Sequence, residues 1–198
     1  MVDIPVTVAV EGLSDEPVAR RLLRAAKLEL AAHYIAGGKA RLDQKLSGYN
    51  SAAQFAPWFV MRDMDHDADC PPDLLARLLP SPSGMMTFRI AVRETEAWLL
   101  ADAASLSQFL GVSAGRVPLR PDEVDDPKAV LVELARAGTR REVRDDMIPA
   151  AGTSAPVGPG YVARIAEYAT LHWNPTRAAR VSPSLKKCLA ALRRLKNG

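Results

Sequence analysis

The sequence predicts an α/β protein: a mainly parallel sheet flanked by helices, followed by a helical C-terminal extension. Three observations carry this. Apolar, β-branched runs alternate with helical patterns over the first hundred residues, the pattern of a parallel sheet with helical crossovers. Two of these runs, "IPVTVAV" and "PWFVMRD", lack helical period and are followed or ended by an acid. After Asp102 the β-branched runs stop and helical stripes take over. The division is therefore 1–102 for the α/β core and 103–198 for helices packed on it.

Taken in order, Ile4–Val10 reads as a buried strand. Ser14 is placed to cap the next helix, and Asp15 and Glu16 suit the positive end of its dipole. Val18, Leu22, Ala25, Ala26 and Leu30 extend a helical stripe to about Ala32. A short strand near His33–Ala36, a turn at Gly37-Gly38 and a helix over Arg41–Gln54 follow. "PWFVMRD" is the next strand, Pro71-Pro72 opens a short helix to Leu79, "MTFRIAV" is a further strand, and "RETEAWLLAD" starts a helix. Beyond it, Ser105–Leu110, Lys128–Ala137, Tyr161–Leu171 and Ser184–Leu195 read as helices, with Pro127 and Pro183 at helix starts.

Composition bounds the function. With 48% hydrophobic and 25% charged residues, the chain has ordinary globular composition and nothing resembling a transmembrane span or signal peptide, so a cytoplasmic protein without membrane partners is expected. Cys70 and Cys188 form no CxxC pair and read as free thiols in a reducing compartment. Charge is unevenly placed. From Asn174 onward Arg177, Arg180, Lys186, Lys187, Arg193, Arg194 and Lys196 meet no acid, so residues 1–173 must carry −4 to give the total of +3. A basic terminal segment on an acidic body suits a polyanion, although such a segment is also an ordinary solvated helix face.

The chemistry is carried by carboxylates. Glu11 follows the first strand, with Gly12 beside it for a sharp turn. Asp63 ends the second strongly apolar run, and Asp65 comes two residues later. In an extended chain residues i and i+2 share a side, so both aspartates are expected to converge. Ligands of open parallel sheets bind outside the carboxyl ends of the strands. Three carboxylates there suit a hard, oxygen-seeking ion, Mg²⁺ with Mn²⁺ as substitute. Glu94 and Glu96 flank another strand–helix junction. They read either as further metal-binding or water-activating groups or as acids favoured by a helix N-terminus. Arg177, Arg180, Lys186 and Lys187 are the candidate phosphate-holding residues, with Ser184 as an added donor and Trp173 as either a base-stacking or a core residue.

"VEGLSDEPVARRLL" followed by "FVMRDMDHD" resembles the Toprim fold of primases, topoisomerases, small ribonucleases and overcoming-lysogenization-defect nucleases. "IAVRETEAWLLAD", "VGPGYVARIAEY" and "WNPTRAARVSPSL" look like an uncharacterised Toprim-like bacterial family associated with phage defence, and this likeness spans nearly the whole chain. The resemblance implies a Toprim-like core. Its glutamate corresponds to Glu11 and its DxD pair to Asp63 and Asp65, with Glu94 and Glu96 as candidates for a second metal. It implies a Mg²⁺-dependent nuclease acting on DNA or RNA, with Glu11 as either metal ligand or general base, and a separately encoded ATPase partner. The alternative is a non-catalytic metal- and nucleic-acid-sensing subunit of an ATPase-containing complex.

Overall fold

A computed structural model describes residues 4–195. Four strands, β1 (Ile4–Val10), β2 (Leu28–Ile35), β3 (Trp58–Asp63) and β4 (Met86–Ala91), form one sheet in the order β2-β1-β3-β4. Every pairing is parallel. The connections run through α1 (Asp15–Ala26), α2 (Lys39–Ala52) and α3 (Pro71–Leu78). The fold is therefore the α/β core expected, with a fully parallel sheet between helical layers.

Alternating residues feed two cores, as the period of two along a strand requires. On one face Val6, Val8, Val10, Phe59, Met61 and Ala91 join α1. On the other, Ala9, Trp58, Val60, Phe88 and Ile90 pack with Leu42, Leu46 and Tyr49 of α2 and Leu74 of α3. Tyr34 and Tyr49 both stack on Trp58, with ring centroids 5.6 and 5.0 Å away.

The first helix ends earlier than its apolar stripe suggests. Lys27 adopts φ 59°, ψ 46° and its N–H closes the last turn onto Arg24 and Leu23. Leu30, which fits the helical period, instead lies in β2 beside Leu28. The strand pairs with β1 from Ile4↔Leu28 to Val10↔Ile35 and carries an irregularity between Val6 and Thr7. Ser14 also departs from expectation: it has helical φ/ψ and makes no side-chain cap.

The remainder is helical: α4 (Thr95–Leu100), α5 (Ala103–Leu110), α6 (Pro127–Arg136), α7 (Arg141–Met147), α8 (Tyr161–Glu167), α9 (Pro175–Ala178) and α10 (Pro183–Leu195). α8 continues into a π-helical turn, Tyr168–His172. These helices share a core with the sheet. Trp98, Leu106, Leu131, Tyr168, Trp173 and Leu189 belong to the same buried cluster as Val6 and Phe59. Trp173 is fully buried and its indole N–H donates to the Trp98 carbonyl at 3.1 Å, so it is a core residue and offers no face to a base.

Candidate carboxylate site

Three loops meet beyond the carboxyl ends of β1, β3 and β4. Glu11 follows β1 and reaches across to β3, where its Oε1 accepts the backbone N–H of Asp63 at 2.8 Å. Asp63 is the last residue of β3, and its carboxylate points under the start of α4. There Oδ1 accepts both the N–H and the O–H of Thr95, each at 2.8 Å. Asp15, at the start of α1, is buried and accepts the Gly12 N–H at 2.8 Å. Gly12 is not in the left-handed region, and a Cβ there would meet nothing closer than Asp15 Oδ2 at 3.5 Å. The chain bends here as expected, without needing glycine's conformational freedom, and Gly12 serves the site through its N–H.

Glu94 and Glu96 are held by Lys128 and Tyr161. Glu94 accepts the Lys128 backbone N–H at 3.0 Å and its Nζ at 2.8 Å. Glu96 is buried, accepts the Tyr161 hydroxyl at 2.8 Å and has Lys128 Nζ at 3.7 Å. Neither is a solvent-facing acid decorating a helix end.

Too many negative groups share this space for all to ionise freely. Burial pushes Glu11 up to about 7, with the Asp63 N–H opposing and Asp15 adding repulsion. Burial raises Asp63 well above the ordinary carboxylate range, and Asp15, Glu96 and Glu11 raise it further. Glu96 is raised to about 7, again first by burial, with Lys128 countering. Asp15 is raised by burial against its Gly12 bond. Burial opposes the charge on Lys128, but Glu96 and Glu94 outweigh it and hold the ammonium above its ordinary range. Sequence reading had placed Asp15 only as a dipole partner and had not singled out Lys128. Its one signal was the Asp126-Pro127 helix start, which fixes where Lys128 begins α6.

Asp65 corrects the expected convergence. The chain leaves extended geometry after β3: Asp65 has φ 48°, and its N–H donates to the Arg93 carbonyl at 2.8 Å. Arg93, at φ 58°, returns a bond from Nη1 to the Asp65 carbonyl at 2.9 Å. Two non-glycine residues in the left-handed region thus brace the loops after β3 and β4. The Asp65 carboxylate consequently meets Lys39 Nζ at 2.7 Å, in a network where Lys39 and Arg62 also hold Asp67. It still adds repulsion at Glu11. Among the described residues, no three His, Cys, Asp or Glu side chains are arranged to hold a metal ion.

The basic segment divides rather than forming one stripe. Arg177 is spent on buried Asp102, with Nε–Oδ1 at 2.6 Å and Nη2–Oδ2 at 2.8 Å. Arg180, Lys186 and Arg193 border one shallow hollow with Thr176 and Leu189. Lys187 and Arg194 border other cavities beside β4. Positions 186 and 193, and 187 and 194, are seven apart, so each pair is on one line of the helix while adjacent residues are rotated by about 100°. α10 begins near Val92 and ends near Ile4 and Gly84, at the opposite end of the sheet from the carboxylates. The segment therefore runs away from the acids along α10, and only its start is near their end of the sheet; Lys196 lies outside the described residues. Ser184 Oγ accepts the Trp98 indole N–H at 2.7 Å and serves packing rather than phosphate binding.

Comparisons of the chain with protein-family models, curated proteins and solved structures returned no match.

Proposed function

We propose that this protein is a Mg²⁺- or Mn²⁺-dependent phosphodiesterase acting on DNA or RNA, of Toprim-like kind. One observation carries the reading: four buried or half-buried carboxylates, Glu11, Asp15, Asp63 and Glu96, crowd the carboxyl ends of parallel strands with Lys128 as their close cation. The donor set fits a hard divalent ion, because it is all oxygen and its affinity for protons is raised first by burial and then by mutual repulsion, both of which a bound cation would offset. Glu11 and Asp63 are the principal ligands in this reading, with Asp15 beside them and Asp65 reaching the ion only by leaving Lys39. The ion supplies positive charge that polarises a scissile phosphate and acidifies a bound water.

The chain's own residues do the rest. Where Glu11 does not ligate the ion, it is the group suited to take a proton from an attacking water, being half-buried and poised near neutrality. Thr95 fixes the Asp63 carboxylate through two bonds to one oxygen, leaving the other free of them. Lys128 keeps Glu94 and Glu96 in place and offsets part of the site's charge. Phosphate contacts fall to Arg180, Lys186 and Arg193, with Lys187 nearer the carboxyl end of β4. An ATPase partner and a part in phage defence belong to the same proposal through the resemblance of the sequence.

A second reading is favoured by the absence of a ready three-ligand arrangement among the described residues: a metal- and nucleic-acid-sensing subunit that does not cleave. Incubation with single-stranded and duplex DNA and RNA, with and without Mn²⁺, separates the two. Cleavage that disappears in Asp63→Asn supports the enzyme. Binding of Mn²⁺ and nucleic acid without cleavage supports the sensor. Failure to bind either overturns both.

A further inference from the structure

Away from the carboxylates, a cavity of about 570 Å³ opens between α3, β4 and the start of α10. Pro71, Pro72 and Leu75 form one wall, Pro183 and Lys187 another, and Ile90 and Val92 the floor. Arg89 of β4 borders it. Its Nε is buried and has no hydrogen-bond partner. Among the described residues its guanidinium pairs with no acid; Cys188 and Arg194 of α10 are its titratable neighbours, and with Arg194 it also borders a second cavity. Burial lowers its pKa, Cys188 opposes this and Arg194 lowers it further. Asp122 also borders the cavity, but its carboxylate is occupied: Oδ1 accepts the Ser182 hydroxyl at 2.6 Å and Oδ2 the Ser184 N–H at 2.9 Å.

Leaving the buried Nε–H of Arg89 without an acceptor in an apolar setting is costly. Proteins keep such a group where an anion completes it. Asp122 and Ser184 of the lining are already engaged within the protein, and Arg89 and Lys187 are its cations; the rest is apolar. We propose that this cavity binds a small amphipathic anion, its carboxylate or phosphate head against Arg89 and Lys187 and its apolar body against Pro71, Pro72, Leu75 and Val92. The volume lies in the range of small-molecule sites. The proposal stands apart from the carboxylate site and does not depend on its chemistry.

The test uses the full chain and four eight-carbon probes: octanoate, octyl phosphate, 1-octanol and octyltrimethylammonium. Binding is followed by calorimetry and by the NMR signal of the Arg89 Nε–H. One or both anions should bind and shift that signal, and their relative affinities tell carboxylate from phosphate. The alcohol and the cation should bind about tenfold more weakly or worse, the value of one charge-assisted contact. Arg89→Met and Lys187→Met should each erase most of that preference. Arg89→Met should keep its melting temperature, since among the described residues the guanidinium has no acceptor to lose; should it fail to fold, Lys187→Met and the Nε–H signal still decide. Equal binding of all four probes overturns the proposal. So does acetate or inorganic phosphate binding as tightly as its eight-carbon counterpart, or an octathymidylate shifting the Arg89 signal more than either anion.

Discussion

The Glu11 carboxylate accepts the backbone N–H of Asp63 at 2.8 Å, tying the end of β1 to the residue that closes β3. The contact needs an acceptor and not a charge. Glu11→Gln should therefore keep the fold and the bond while removing the proton acceptor at the site. We expect an unchanged or higher melting temperature in EDTA and a loss of cleavage of about a hundredfold or more. Calorimetric melting beside a cleavage time course checks both, and a destabilised variant would refute the geometry.

Acidity gives a second prediction, and its sign is unusual. Carboxylates paired in a native state commonly stabilise it as pH rises. Here the folded-state values of Glu11 and Glu96 are near 7, above the ordinary 4.5, and those of Asp15 and Asp63 are raised too. The folded state holds protons that the unfolded chain releases, so stability should fall as pH climbs from about 4.5 through about 7. Urea unfolding in EDTA across this window should show that decline. Adding Mn²⁺ should flatten it, because a bound cation takes the place of the protons. A rise in stability over the same range without metal would contradict the burial of these groups.

Lys128 offsets the acids of α4. Lys128→Met leaves Glu94 and Glu96 without their ammonium and should cost about 2–3 kcal/mol near pH 8, less near pH 5 where the acids protonate. Combining it with Glu96→Gln should restore much of the loss. A double-mutant cycle by denaturant unfolding measures the coupling.

The basic residues should separate by role. Arg177→Ala strands the fully buried Asp102 carboxylate and should destabilise by about 3 kcal/mol, with nucleic-acid affinity unchanged in the folded fraction. Arg180→Ala/Lys186→Ala/Arg193→Ala should leave stability within about 0.5 kcal/mol. It should reduce the slope of log affinity against log salt by about 0.7–0.9 per lost phosphate contact. Titration of an oligonucleotide across a salt series distinguishes the two variants.

Much of this architecture is legible in the residues. The β-branched runs at β1, β3 and β4 announce themselves because buried parallel strands are apolar on both faces. β2 is only half visible: its end reads as the short strand near His33–Ala36, but its start is hidden. Leu30 satisfies a helical stripe, and the residue that ends α1 is Lys27 in the left-handed region, where glycine or asparagine is the usual sign. Glu11, Asp63 and the acids of α4 are visible as acids at strand ends. What spacing conceals is direction. Asp65 is two residues from Asp63, but the left-handed turn there sends it to Lys39, and i, i+2 reasoning holds only while the strand continues. Lys128 lies thirty-odd residues beyond the acids it serves, and only tertiary packing brings it to them.

That distance has a consequence for assembly. The acids at the mouth of the sheet come from the first half of the chain, and their ammonium comes from α6 in the second. A nascent chain that has formed the sheet alone carries a repelling, proton-hungry mouth and an exposed apolar flank where Trp98 and its neighbours await α8, α9 and α10. Docking of the helices covers the flank and delivers Lys128 in one event. The helical half thus both seals the flank of the sheet and supplies the cation at its mouth, and the first half of the chain contains neither.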